Sequence, residues 1–210
     1  LMMNPVPFNP TALKSVSTGD PEYLAIISPD NELCFFTRRF DENRKGAVTV
    51  SNVEKFMVAE KKDGAFTKGD PLPLPFNKAT SGNEGGASIS VDNRNLFFTV
   101  NKGGNFDIYT CENKNGTWTE PVSISPLVND AKYWDSQPSI SPNGKALYFV
   151  SYRDAVNKTS DIYVTQKMTT GWSAPSKLPK FINTVGNEKT PFMHPDNRTF
   201  FFSSDNLPGM

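Results

Sequence analysis

Four acids stand at one offset in this chain. Glu22, Glu84, Asp135 and Glu188 each lie seven residues ahead of a related turn, at Pro29, Val91, Pro142 and Pro195. If these positions surround one opening, their carboxylates form a ring. Crowded carboxylates repel one another until something positive joins them, so such a ring holds a cation or a basic peptide segment. The same residues also suit plainer work, accepting backbone N–H groups between repeats or pairing with a nearby Lys or Arg. A residue that recurs in every repeat usually serves the repeat. Both uses stand at this point.

Other residues carry chemistry of their own. Tyr133-Trp134, just ahead of Asp135, has no counterpart in the other copies, so the repeat does not account for it and it is a candidate partner contact. The charged stretch Phe40–Gly46, with Arg38, Arg39, Arg44 and Lys45 nearby, is either a second contact or a solvated loop. Asp107 and Asp161 each precede a tryptophan by 11 residues and suit turn or interblade hydrogen bonds. Those tryptophans, Trp118 and Trp172, would serve as sugar platforms in isolation, but their regular recurrence predicts packing between blades. His194 is the one histidine; without Cys or His company it makes a poor metal site. No Gly-x-Ser-x-Gly motif occurs. The run Asn113–Trp118 resembles the Asp-box of sialidase propellers but places Gly116 directly before Thr117, which departs from that box. No catalytic residue, metal site or cofactor is predicted.

The elements that must position these residues come from a repeat. Ile27-Ser28-Pro29-Asp30-Asn31, Ile89-Ser90-Val91-Asp92-Asn93, Ile140-Ser141-Pro142-Asn143-Gly144 and Met193-His194-Pro195-Asp196-Asn197 are spaced 62, 51 and 53 residues apart. Each leads into an aromatic strand: Cys34-Phe35-Phe36, Leu96-Phe97-Phe98, Leu147-Tyr148-Phe149 and Phe200-Phe201-Phe202. Asn31, Asn93, Gly144 and Asn197 share an offset that predicts positive φ and a tight hairpin. A third strand follows at Asp107-Ile108-Tyr109 and Asp161-Ile162-Tyr163, with Glu54-Lys55-Phe56 the best match in the first copy. A fourth begins at Phe66, Trp118 and Trp172. The units then run through Phe76-Asn77, Val128-Asn129 and Ile182-Asn183, which Phe8-Asn9 matches near the start.

Four strands per unit of about 50 residues is the pattern of an all-β fold, a β-propeller with four-stranded antiparallel blades. Residues 1–20 read as the end of a preceding blade, 21–83, 84–134 and 135–187 as full blades, and 188–210 as a partial one. Partial blades at both ends, with a start at Leu1-Met2-Met3 that is no signal peptide, predict a piece of a larger propeller from which any targeting segment has been removed.

Composition narrows the function. Basic and acidic residues balance at 22 each, so there is no electrostatic footprint for nucleic acid. No run of 18 apolar residues occurs, so no membrane-spanning helix is expected. Cys34 takes a position held by Leu or Phe in the other copies and reads as a small core residue; nothing in the spacing favours a bridge to Cys111.

The third repeat carries a family resemblance. Pro138-Ser139-Ile140-Ser141-Pro142-Asn143-Gly144-Lys145-Ala146-Leu147-Tyr148-Phe149, then Asp161-Ile162-Tyr163-Val164, Gly171-Trp172-Ser173-Ala174-Pro175 and Glu188-Lys189-Thr190-Pro191, resemble the TolB-like, WD-repeat-related propellers of bacterial envelope proteins. The OmpA-family envelope lipoproteins of Bacteroidetes are the group it most resembles, some of them belonging to the type IX secretion apparatus. The resemblance implies a non-catalytic, periplasmic module that scaffolds protein partners in the cell envelope. It implies attachment to the outer membrane, and to peptidoglycan, only through domains these residues do not contain. The alternatives are a ligand- or cation-binding propeller at an acidic mouth, with Glu22, Glu84, Asp135 and Glu188 as its residues, or the gating propeller of a hydrolase.

Overall fold

The computed structural model describes residues 9–42, 51–78, 83–153 and 158–208. In the first sheet β1 (Glu22–Ile27), β2 (Leu33–Glu42) and β3 (Ser51–Lys62) pair in order, and two short pieces, β4 (Ala65–Phe66) and β5 (Asp70–Pro71), share the outer edge of β3. The second sheet repeats this with β6 (Glu84–Ile89), β7 (Asn95–Lys102), β8 (Asn105–Lys114), and β9 (Thr117–Trp118) and β10 (Val122–Ser123) on β8. The third runs β11 (Asp135–Ile140), β12 (Ala146–Ser151), β13 (Asp161–Gln166), β14 (Ser176–Lys177), and the fourth pairs β15 (Glu188–Met193) with β16 (Phe200–Ser204). All pairings are antiparallel, and no helix occurs among the described residues. These sheets are the blades of a β-propeller. β6 touches both β1 and β11, and β11 touches β15, so the first strands of the blades lie side by side.

The hairpins form where the repeat predicts. Asn31, Asn93, Gly144 and Asn197 all have φ between 56° and 68°. The loops are longer than a two-residue hairpin because the small residue ahead of the proline organises them. The hydroxyls of Ser28, Ser90 and Ser141 accept the N–H of Leu33, Asn95 and Ala146 at 2.9 Å and donate to Asp30, Asp92 and Asn143. In the fourth copy His194 stands in that place, its Nδ1 accepting the N–H of Asp196 at 3.2 Å. The only histidine is thus a turn residue.

Between blades the core is aromatic. Phe35, Phe56, Phe76 and Phe98 pack with Leu96 and Cys111 between the first two blades, where Phe56 and Phe98 stack at 5.7 Å. Phe97, Ile108, Leu147, Phe149, Tyr163 and Trp172 fill the next interface. Trp118 and Trp172 do pack between blades, edge-on to Phe76 at 6.1 Å and to Phe97 at 6.0 Å. Cys34 and Cys111 are buried, unbridged and in different clusters.

One regularity was not foreseen. Each first strand carries a bulge two residues after its acid, at Leu24, Gly86, Gln137 and Thr190, with φ of 53°, 58°, 52° and 50°. Only Gly86 adopts that conformation without steric cost; a β-branched residue such as Thr190 there is an outlier. The bulge re-aims the side chains that follow. It also explains how Pro138 and Pro191 sit within inner strands, since proline is tolerated at bulges.

Two alignments need correction. Lys55, opposite Arg38, matches Asp107 opposite Val100 and Asp161 opposite Ser151, so the first third strand reads Lys55-Phe56-Met57, one residue on from the expected match. Near the start, Val16 closes the same turn as Phe76, Val128 and Ile182, through N–H bonds to Leu13, Pro73, Ser125 and Pro179. The counterpart of Phe76-Asn77 is therefore Val16-Ser17; Phe8 of the expected pair lies outside the described residues.

Candidate functional site at the channel mouth

The four acids begin the first strands and point back to the linker that delivers each strand. Glu22 accepts the N–H of Thr18 at 3.1 Å, Glu84 that of Asn77 at 2.9 Å, Asp135 that of Asp130 at 2.7 Å and Glu188 that of Thr184 at 3.0 Å. Side chains beside them add to this. Arg38 reaches Glu22 at 2.8 Å, Arg153 reaches Asp135 at 2.6 Å, and Ser204 donates to Glu188 at 2.7 Å. Glu84, Asp135 and Glu188 are buried. The geometry departs from an open ring because the carboxylates are turned into the linkers, and among the described residues no group of three acids, histidines or cysteines converges as a metal site.

Electrostatics separates two of these acids. Burial works to raise the Glu22 carboxyl, but hydrogen bonds from Thr18 and Arg38 and the charge of Arg38 hold it below its ordinary range. Burial lifts that of Asp135 above its ordinary range in spite of Arg153. Arg38 itself is buried in the first blade, not displayed on a charged loop, and residues 43–46 of that stretch lie outside the described residues. Asp161 forms an ion pair within its own blade, with Lys177 at 2.9 Å.

The residues that sequence reasoning passed over are the asparagines of the linkers. Asn77 Oδ1 accepts the N–H of Phe56 and its Nδ2 donates to the carbonyl of the same residue, both at 2.8 Å. Asn129 does the same to Ile108, and Asn183 to Ile162. A single carboxamide thus imitates one residue of a neighbouring strand. The three linkers that carry this asparagine are held by it to the blade behind and by an acid to the blade ahead.

With the acids occupied in this way, the open chemistry lies beside them. A cavity of about 250 Å³ opens where the first strands converge, lined by residues from all four blades. Its aromatic side holds Phe106, Trp134 and Tyr152, with Trp134 edge-on to Phe106 at 4.9 Å and to Tyr152 at 5.5 Å. Facing residues include Tyr23, Thr37, Glu54, Glu84 and the Gly85-Gly86 pair. Of the six candidate site residues, Glu84 and Trp134 come together here; Glu22, Asp135, Glu188 and Tyr133 do not line it. Trp134 is 46% exposed, unusual for a tryptophan, while Tyr133 beside it is half-buried.

The cavity floor is tightly built. A Cβ on Gly85 would lie 2.0 Å from Thr37 Oγ1, so no larger residue fits there unless Thr37 yields. Gly85→Ala is expected to cost about 1–3 kcal/mol through overpacking. Adding Thr37→Ala, which removes the obstructing hydroxyl, should restore most of that loss. Urea unfolding of the two single variants and the double variant checks this; additive losses would show that the two sites are not in contact.

No protein-family model and no curated protein sequence matches the chain. Solved structures do. TolB from Acinetobacter baumannii superposes with a TM-score of 0.55 at 14% identity, covering 90% of this chain and 39% of that one. A TolB-type protein from Agrobacterium tumefaciens gives 0.54 at 15% identity, covering 89% of this chain and 71% of that one. A puromycin-hydrolyzing peptidase from Mycobacterium tuberculosis gives 0.50 at 14% identity, covering 77% of this chain and 24% of that one. The likeness is one of fold, and the chain spans well under half the length of the first and third of these proteins.

Proposed function

We propose that this chain is a non-catalytic propeller module that binds a protein partner at the mouth of its channel. The observation that carries this reading is the solvent-facing aromatic wall around Trp134, set over a cavity to which every blade contributes. Exposed aromatic anchors beside a pocket are the residues from which interfaces draw most of their energy. The likeness to TolB supports a place in the periplasm, within the cell envelope. The sequence resemblance adds the finer proposal of an OmpA-family lipoprotein of the outer membrane, serving a secretion assembly.

A hydrolase-capping propeller is the second reading, favoured by the likeness to the peptidase. Two measurements separate them. Cross-linking with envelope proteins is expected to capture a partner with the wild-type chain and lose it with Trp134→Ala. Peptide and glycoside panels are expected to show no turnover; reproducible hydrolysis, abolished by a Glu84 substitution, would sink the scaffold reading.

A further inference from the structure

We infer that the mouth cavity recognises a basic side chain, arginine above lysine, presented by the partner polypeptide. This rests on the protein-binding reading and adds the chemistry of the ligand. Four observations carry it. First, the cavity of about 250 Å³ takes one long side chain and not a larger ligand. Second, its aromatic side is folded: Trp134 meets Phe106 at 67° and Tyr152 at 70°. Such rings present several π-faces to a small cation and no flat platform for a sugar.

Third, the charges lining the cavity favour a cation. Glu54, Glu84 and Lys189 are the charged residues that line it, and Glu84 is already engaged by the Asn77 N–H of its linker. Lys189 is exposed, and its charge acts on Asp205 outside the cavity. Arg39 stands opposite Glu54 in the β2–β3 register but does not line the space. Glu54, half-buried, lies close enough to Tyr23 that its charge acts on the phenol, which places the carboxylate beside the opening.

Fourth, Thr37 is 2% exposed, yet its Oγ1 has no hydrogen-bond partner among the described residues. The matching Thr99 Oγ1 accepts the N–H of Gln137 at 3.0 Å, so the position normally serves a neighbour. A buried hydroxyl without a partner destabilises the fold, and a guanidinium, with five donors in a planar fork, supplies what it lacks while pairing with Glu54.

The test titrates the whole chain with capped five-residue glycine peptides bearing Arg, Lys or citrulline at the centre, followed by tryptophan fluorescence and calorimetry. Citrulline keeps the shape of arginine without its charge. The arginine peptide is expected to bind about tenfold or more tighter than the citrulline peptide. Glu54→Gln and Trp134→Ala should each weaken it about fivefold or more. Thr37→Val should weaken it as well, while raising the melting temperature by about 2–4 °C because a buried unpaired hydroxyl is removed. A purely structural Thr37 predicts the opposite sign in melting.

Equal binding of arginine and citrulline peptides overturns the inference. So does saturation by chitobiose with none by the arginine peptide, or binding of free agmatine with none of any peptide. If the envelope partner is still lost with Trp134→Ala but the arginine peptide does not compete for it, the protein-binding reading stands and this inference alone falls.

Discussion

Asn183→Ala is expected to destabilise the chain by about 3–5 kcal/mol, because it leaves several buried backbone groups unpaired at once. Asn183 is 4% exposed; its Oδ1 accepts the Ile162 N–H at 2.8 Å, and its Nδ2 donates to the carbonyls of Ile162 at 2.8 Å and Leu178 at 3.0 Å. Ile162 is itself fully buried, so water does not readily replace the lost partner. For a chain of this size the loss corresponds to a fall in melting temperature of roughly 6–20 °C. Asn129→Ala should cost less. Its third bond goes to the exposed Ser123 hydroxyl, which turns to solvent when released, where Asn183 serves a backbone carbonyl. Urea unfolding of both variants tests the order. Equal losses, or a loss below about 1 kcal/mol for Asn183→Ala, would show that water substitutes for the carboxamide.

The contrast between these asparagines and the four acids shows where the sequence was readable. Ile182-Asn183 and its counterparts were visible as a repeat, but no spacing rule says that a carboxamide reaches back 21 residues to imitate a strand. Hairpins, blade strands and interblade tryptophans were legible because turn preferences and aromatic alternation are local physics. Bulges were less so. Pro138 and Pro191 within inner strands, and Gly85-Gly86 just ahead of the matching residue Ala87, were the available signal, since proline inside a strand marks a bulge or an edge. The acids were found by their offset, yet only three-dimensional placement decides between an open ring and a staple to the linker. Trp134 was singled out because the repeat did not explain it. That same logic did not separate it from Tyr133, because which of two adjacent residues faces a cavity depends on the path of a linker. The unpartnered Thr37 hydroxyl had no sequence signature, as Thr99 at the same position is satisfied.

Arg153→Met is expected to cost about 3–5 kcal/mol near neutral pH, because it strands a buried carboxylate. Asp135 is fully buried, and Arg153 covers it at 2.6 Å while also donating to the Val128 carbonyl and to Ser151. Methionine keeps the side-chain stem against Phe149 and Tyr163, over which the guanidinium lies at 5.5 and 5.2 Å, and removes the charge. The deficit should depend on pH in a defined direction. Burial already holds the Asp135 carboxyl above its ordinary range, and the charge of Arg153 is among the influences lowering it. Removing Arg153 therefore raises it further. A carboxyl raised in the folded state contributes stability that is present at low pH and is lost as pH rises through the folded value. The variant should therefore fall furthest behind the wild type at about pH 7 and recover part of the difference as pH drops toward about 4. Glu22, whose carboxyl is held low, loses its contribution on acidification, but it does so in both proteins and cancels from the comparison. Adding Asp135→Asn to Arg153→Met removes the stranded charge and should return stability at neutral pH beyond that of Arg153→Met alone. A deficit independent of pH, with no gain from the second substitution, would mean that Arg153 acts by packing and by its bond to Val128, and that the Asp135 charge is not what it stabilises.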